Sequence, residues 1–183
     1  MPFSFSIHKA GRIVRNGGIV TCPTEGVFGL SCLPGDIHAI ERILTIKQRD
    51  PSQGLILIAA NAAQLRSWID TDREIPHDPS NPVTWVVPAS TAVPPWISGR
   101  HSSVAVRISS HPVATALCAA AGSALVSTSA NVSGRAPVAN AYVLRRQFHG
   151  LVDYIVPGRC GAASSSSEIR DLQSNKILRP AGS

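Results

Sequence analysis

Apolar residues return at helical spacing through Ile7, Ala10, Ile13 and Val14. The pattern stops at Gly17-Gly18, a pair suited to ending a helix, so a first helix is predicted to run to about Asn16. Ile19 to Cys22 is a short apolar run broken at Pro23, which reads as a buried strand. It delivers Thr24-Glu25-Gly26 to a loop at the strand's C-terminal end, where α/β proteins usually place their ligands. Asp36 is positioned to cap a second helix with an apolar face of Ile37, Ile40, Ile43 and Leu44, ending near Lys47. Leu55 to Ile58 follows as a strand.

The same reading gives a helix from Asn61 to Ile69, a proline-rich connection, and strands at Val83 to Val87 and Val104 to Ile108. A helix entered at Pro112 comes next. Ala124 to Ser127 reads as a strand running into Ser129-Ala130-Asn131, followed by a helix near Ala139 to Phe148 and a strand at Tyr154 to Val156. Strand and helix alternate, which implies an α/β domain with helices packed on a mostly buried sheet; segments at Ile169 and at Ile177 to Leu178 are candidates for added antiparallel strands. There is no internal repeat. The low-complexity stretch Ser164 to Ser167 is either a plain flexible loop, which composition favours, or a mobile lid over a site.

Composition narrows the classes. A chain of 183 residues with 44% apolar and 15% charged residues fits one globular domain rather than a disordered chain or a coiled coil. Lys9, Arg12 and Arg15 precede no apolar stretch of signal-peptide type, and the run Leu55 to Ala60 is far short of the ~20 residues of a membrane helix. Four cysteines (Cys22, Cys32, Cys118, Cys160) form no CxxC pair, and the six histidines show no HExxH spacing. The expectation is a soluble cytoplasmic protein with buried reduced thiols and no metal site built by its own side chains. The net charge of +6 and pI ≈ 9.7 point to an anionic partner without naming one. Of the 17 basic residues only Lys9, Lys47 and Lys176 are lysines. Arginine favours bidentate contacts to phosphate and carboxylate, although a GC-rich genome produces the same bias.

Familiar nucleotide and hydrolase signatures are missing: no Walker A loop surrounds the lysines, and neither GxGxxG nor GxSxG occurs. What remains are polar clusters at strand and helix ends. Lys47 and Arg49 stand two apart, and Pro51 biases Asp50 away from helix, so both cations can converge on one anion or simply complement the helix dipole. Ser127-Thr128-Ser129-Ala130-Asn131 suits either a turn or a loop that hydrogen-bonds sugar or phosphate oxygens. Arg107 closes the strand Val104-Ala105-Val106, where an inward guanidinium requires an anion, either a substrate carboxylate or a protein acid such as Glu25.

Taken in order, these clusters carry a resemblance. Asn16-Gly17-Gly18-Ile19-Val20 leads to Pro23-Thr24-Glu25-Gly26-Val27-Phe28-Gly29-Leu30, then Lys47-Gln48-Arg49 and Gly54-Leu55-Ile56-Leu57-Ile58. Ser103-Val104-Ala105-Val106-Arg107 with His111-Pro112 follows. The series closes with Ser127-Thr128-Ser129-Ala130-Asn131-Val132-Ser133-Gly134, Pro157-Gly158 and Ser167-Glu168-Ile169-Arg170-Asp171. The chain thereby resembles the YrdC/TsaC family, the threonylcarbamoyl-AMP synthases, over almost its whole length. In length it is similar to the short bacterial form without a further C-terminal domain.

The resemblance implies a single-domain YrdC-like fold, residues 1–183, with a twisted mixed sheet, flanking helices and a large basic cavity. It implies a nucleotidyltransferase that converts L-threonine, bicarbonate and ATP into threonylcarbamoyl-AMP and pyrophosphate. The product would feed the tRNA threonylcarbamoyltransferase machinery that forms threonylcarbamoyladenosine in tRNAs reading ANN codons. By the same resemblance Lys47 and Arg49 would hold the ATP phosphates, Ser129 and Asn131 would contact nucleotide, and Arg135 and Ser167 would be further nucleotide contacts. Thr24, Arg107 and Ser127 would line the threonine pocket, with Arg107 on the carboxylate. Mg2+ would accompany ATP on phosphate oxygens and water. Two stretches depart from the family pattern: Asp78-Pro79-Ser80-Asn81-Pro82 replaces a WPGP-like segment, and Asp50 separates Arg49 from Pro51. The alternative is a non-catalytic RNA-binding or ribosome-maturation module. Aromatics at 5% offer it no base-stacking platform, leaving weak RNA binding on the outer basic surface.

Overall fold

The computed structural model describes residues 2–132, 136–163 and 166–182. In chain order it contains helix α1 (Pro2–Arg15), strands β1 (Val20–Pro23) and β2 (Phe28–Ser31), helix α2 (Ile37–Lys47) and strands β3 (Ile56–Ala59) and β4 (Val83–Pro88). Then come the short helix α3 (Pro95–Ser98), strand β5 (Ser103–Ile108), helix α4 (Pro112–Ala121), strand β6 (Leu125–Ser129), helix α5 (Ala141–Phe148) and strands β7 (Tyr154–Ile155), β8 (Glu168–Asp171) and β9 (Ile177–Arg179). The strands form one mixed sheet in the order β7-β1-β2-β6-β3-β5-β4-β8-β9. The α/β class, the mixed sheet and the flanking helices match the reading of the sequence.

Local chemistry explains the boundaries. The Asp36 carboxylate accepts a 3.0 Å hydrogen bond from the Ala39 amide at the start of α2. His111 caps α4, with Pro112 in the first helical position, where its missing N–H costs nothing. Asn140 accepts from the amides of Tyr142 and Val143 and starts α5. Gly17 ends α1 at φ 81°, a conformation in which a Cβ would be strained.

The sheet is buried on both faces at its centre, and the two-residue period sorts its side chains. Val20, Cys22, Ile58 and Leu125 pack with Ile7, Ala10, Val14, Val113 and Leu117 of α1 and α4. Phe28, Leu30, Leu57 and Val126 pack with Ile40 and Ile43 of α2 and with Leu144 and Phe148 of α5. Adjacent residues such as Leu57 and Ile58 therefore belong to different cores, as the alternation of a strand requires.

Several expectations are corrected. Strand β2 was not anticipated: Phe28-Gly29-Leu30-Ser31 is only four residues long, and Gly is a poor strand former. The helix over 61–69 is only a 3-10 turn, Ala62–Leu65. Ile69 instead bridges Ala89, and the Asp70 amide donates to the Pro88 carbonyl at 2.9 Å, so sheet hydrogen bonds outcompete the helical period there. β6 extends past Ser127 to Ser129, placing Thr128 and Ser129 on the strand rather than in the loop that follows it. β8 runs parallel to β4, and only β9 adds antiparallel to it.

Candidate active site

A cavity of about 560 Å³ opens over one face of the sheet. Its floor follows from register. Ser127 pairs with Ile56, Ile56 with Ala105, and Ala105 with Val86, so these four side chains form one row across β6, β3, β5 and β4. All four line the cavity. Gly29 on β2 lies beside them, and a Cβ there would meet the Ser127 hydroxyl at 3.0 Å. Gly29, Ala105 and Ser127 are small, and they leave the cavity its volume beside Ile56 and Val86.

Three arginines reach the cavity from three directions: Arg49 from the end of α2, Arg107 from β5 and Arg179 from the end of β9. Each has a buried Nε–H without a hydrogen-bond partner among the described residues. Arg49 donates one bond, to the Gly54 carbonyl at 3.0 Å. Arg179 donates to the Ser167 carbonyl at 2.9 Å. Arg107 donates to the Ser167 hydroxyl at 2.8 Å, and that oxygen also lies 2.8 Å from Thr84 Oγ1. Burial lowers the pKa of Arg49, with Arg179 adding repulsion and Asp50 acting against it. Burial and then Arg107 lower that of Arg179. The wall is a set of like charges held close together with donor capacity to spare.

Glu25 is the acid facing this set. Its Oε1 accepts from the Ser109 hydroxyl at 2.6 Å and the Ser110 amide at 3.0 Å. Its Oε2 stands 3.3 Å from Arg107 Nη2, an ion pair outside hydrogen-bond geometry, since Oε2 accepts no bond. Burial works to raise the Glu25 pKa, but Arg107 and the bonds from Ser109 and Ser110 outweigh it, and the carboxyl titrates below its ordinary value. The anion required by the inward Arg107 is thus present in the protein, although Arg107 Nε remains open.

The structure separates the two cations of Lys47-Gln48-Arg49. Gln48 adopts left-handed φ 50° at the end of α2, so its neighbours turn apart. Arg49 lines the cavity, whereas Lys47 is 2% exposed and does not line it. The Lys47 ammonium donates to the Ser129 carbonyl at 2.6 Å, the Asn131 carbonyl at 3.0 Å and Asn131 Oδ1 at 2.7 Å. Burial, then Arg49, lowers its pKa to about 8.

Of the other anticipated residues, Thr24, Ser127, Ser129 and Ser167 line the cavity, and Asn131 lies behind Ser129. Thr24 Oγ1 donates to the Val27 carbonyl at 2.7 Å and closes the β1–β2 turn. Arg135, Ser164 and Ser165 lie outside the described residues, so the stretch 164–167 is described only at Ser166 and Ser167. Asp50 caps the turn Pro51–Gln53 by accepting from Ser52. Asp78 accepts from Ser80, and Ser80, Asn81 and Pro82 line the cavity. Arg179 is the cavity residue that sequence reading missed. The signal was available, because Arg179 closes Ile177-Leu178 as Arg107 closes its own apolar strand.

A family model described as telomere recombination, covering Sua5, YciO and YrdC, matches residues 12–181. The chain belongs to this family. It is 46% identical over 181 residues to a protein of Nitrosococcus oceani named threonylcarbamoyl-AMP synthase, covering 96% of this chain and 98% of that one. It is 45% identical over 183 residues to a protein of the same name from Halorhodospira halophila, covering 96% and 94%. Among solved structures, P. abyssi Sua5 complexed with L-threonine superposes with a TM-score of 0.88 at 31% identity. That match covers 98% of this chain and 55% of Sua5, so the chain spans just over half of that protein. E. coli YciO shares the fold, with a TM-score of 0.83 at 24% identity, over 97% of this chain and 90% of YciO. No described helix is long and apolar enough to cross a membrane.

Proposed function

We propose that this chain is a threonylcarbamoyl-AMP synthase that joins L-threonine, bicarbonate and ATP into threonylcarbamoyl-AMP and pyrophosphate. The observation that carries the reading is the cavity wall: the buried Arg107 and the half-buried Arg49 and Arg179, each with a buried Nε–H that has no hydrogen-bond partner among the described residues, around a floor of Ser127, Ile56, Ala105 and Val86. A wall of this kind is costly to the empty protein and suits a ligand with several negative groups. Full-length relatives that bear the synthase name agree with it.

The reaction forms two bonds. Bicarbonate loses hydroxide to give CO2, the threonine amine attacks its carbon, and the amine proton passes to the hydroxide, so that carbamate and water result. A carbamate oxygen then attacks the α-phosphorus of ATP in line, and the bond to the β-phosphate oxygen breaks to release pyrophosphate. Neither step demands a nucleophilic side chain. Positioning is worth ~7–11 kcal/mol in well-oriented systems, and cations at the phosphates stabilise charge building on the leaving group. Arg49 and Arg179 would take the triphosphate, with Ser129 and Ser167 as nucleotide contacts. Arg107, Thr24 and Ser127 would form the threonine end, with the open Arg107 Nε–H directed to the carboxylate. Mg2+ would enter as part of the substrate, carried on ATP by phosphate oxygens and water. The product would pass to the enzymes that form threonylcarbamoyladenosine on tRNA.

The test is pyrophosphate release by the purified protein with Mg-ATP. Release that requires threonine and bicarbonate together supports the reading. No release, together with tight RNA binding, replaces it with an RNA-binding module.

A further inference from the structure

Three residues of the site carry a polar arrangement that the proposed reaction does not use directly. An ammonium has three N–H donors. At Lys47 all three are matched by protein oxygens at 2.6, 2.7 and 3.0 Å, and the side chain is removed from both solvent and the cavity. Its acceptors belong to residues 129 and 131, at the exit of β6. Ser129 Oγ donates in turn to Asn131 Oδ1 at 2.6 Å, so one amide oxygen receives both the ammonium and the hydroxyl. The Asn131 amide donates to the Ser129 carbonyl at 2.9 Å, closing a compact knot centred on Nζ. A phosphate could contact this ammonium only if one of these bonds broke.

We infer that Lys47 is a positioning residue and not a phosphate ligand: its ammonium clamps residues 129–131 so that Ser129 is held against the cavity. The inference rests on the synthase reading for the identity of the ligand, but not for the clamp. It assigns different work to the two cations of one short segment. Arg49 offers an open donor to the cavity, and Lys47 shapes the opposite wall from behind. The left-handed turn at Gln48 makes that division possible, because an unbroken helix would keep both side chains on the surface of α2.

The test uses inorganic pyrophosphate as the probe and begins with the wild-type protein. Only three lysines are present, and Lys9 and Lys176 are exposed, so 15N labelling of lysine Nζ resolves the buried Lys47 ammonium. Its slow exchange with solvent is expected to survive saturation with pyrophosphate. Arg49→Ala is expected to weaken pyrophosphate binding at least tenfold, and Lys47→Met less than threefold. Conversely, Lys47→Met should speed amide hydrogen exchange at Ala130 and Asn131 at least tenfold, Arg49→Ala should leave it within twofold, and Lys47→Arg should recover part of the protection. Loss of the protected ammonium signal on adding pyrophosphate overturns the inference, as does a Lys47→Met variant that loses pyrophosphate binding while its loop stays protected. If Lys47→Met does not fold, the wild-type signal still decides. If the wild type binds no pyrophosphate and shows no threonine-dependent turnover, the synthase reading falls, and the exchange experiment still judges the clamp.

Discussion

Two groups of cations stand on either side of β6, and they differ in how completely they are bonded. Behind the strand, Lys47 meets four oxygens of Ser129 and Asn131 and keeps no donor for anything else. In front of it, Arg49, Arg107 and Arg179 each retain a buried Nε–H with no hydrogen-bond partner among the described residues. Folding alone favours the first arrangement, since a buried donor left unsatisfied costs ~1–3 kcal/mol. The second arrangement is the one the proposed function calls for, open donors for an anionic ligand. Satisfied charge marks architecture here, and unsatisfied charge marks binding.

The sharpest way to break this comparison is to remove one cation from each group and measure stability and turnover together. Arg179→Ala is expected to lower kcat/KM roughly 10- to 100-fold, the value of one charge-assisted contact, while changing unfolding free energy by less than about 1 kcal/mol, because Arg107 no longer repels it. Lys47→Met should show the reverse emphasis: a stability loss of about 1–3 kcal/mol from carbonyl and amide oxygens left without a donor, read from urea titration. If Arg179→Ala destabilises more than Lys47→Met, the division between architecture and binding fails.

Acid sharpens the picture at Glu25. Its folded pKa lies below the ordinary 4.5, so the carboxylate contributes stability that is present above pH 4.5 and lost as pH falls through the folded value. The unfolding free energy of wild type should therefore fall toward that of Glu25→Gln as the buffer is taken below pH 4.5, in a series of urea titrations. A gap between the two proteins that stays constant with pH overturns this. The smallest expected effect is at Gln48, whose φ of 50° glycine adopts more readily. Gln48→Gly should stabilise by about 0.5 kcal/mol, seen as a slightly higher Tm, and leave kcat/KM within twofold because Lys47 and Arg49 keep their directions.

Much of this was legible before the coordinates. The apolar runs at 19–22, 55–58 and 104–108, the cap Asp36 and the helix entry at Pro112 marked elements whose local preference and tertiary context agree. Phe28-Gly29-Leu30-Ser31 was not legible, because the run is short and Gly29, a poor strand former, is required by the closeness of Ser127, a contact nearly a hundred residues away in sequence. Lys47 and Arg49 were recognisable as a pair, but their divergence was not: it depends on one residue's positive φ. Arg107 could be seen to need an anion, and Glu25 was among the candidates. Arg179 shows the converse case, a residue with the same strand-end signal as Arg107 whose meaning emerges only when β9 is laid beside β8.

That placement of β9 also bears on the protein's birth at the ribosome. The site draws on residues from Thr24 to Arg179, and its third arginine belongs to the last strand in chain order. A nascent chain complete through Asn131 already contains the cavity floor and the Lys47 knot, but it lacks Ser167 and Arg179. Long-range pairings of this kind form late and slowly. The clustering of like charge is thus deferred until the sheet beneath it is already in place.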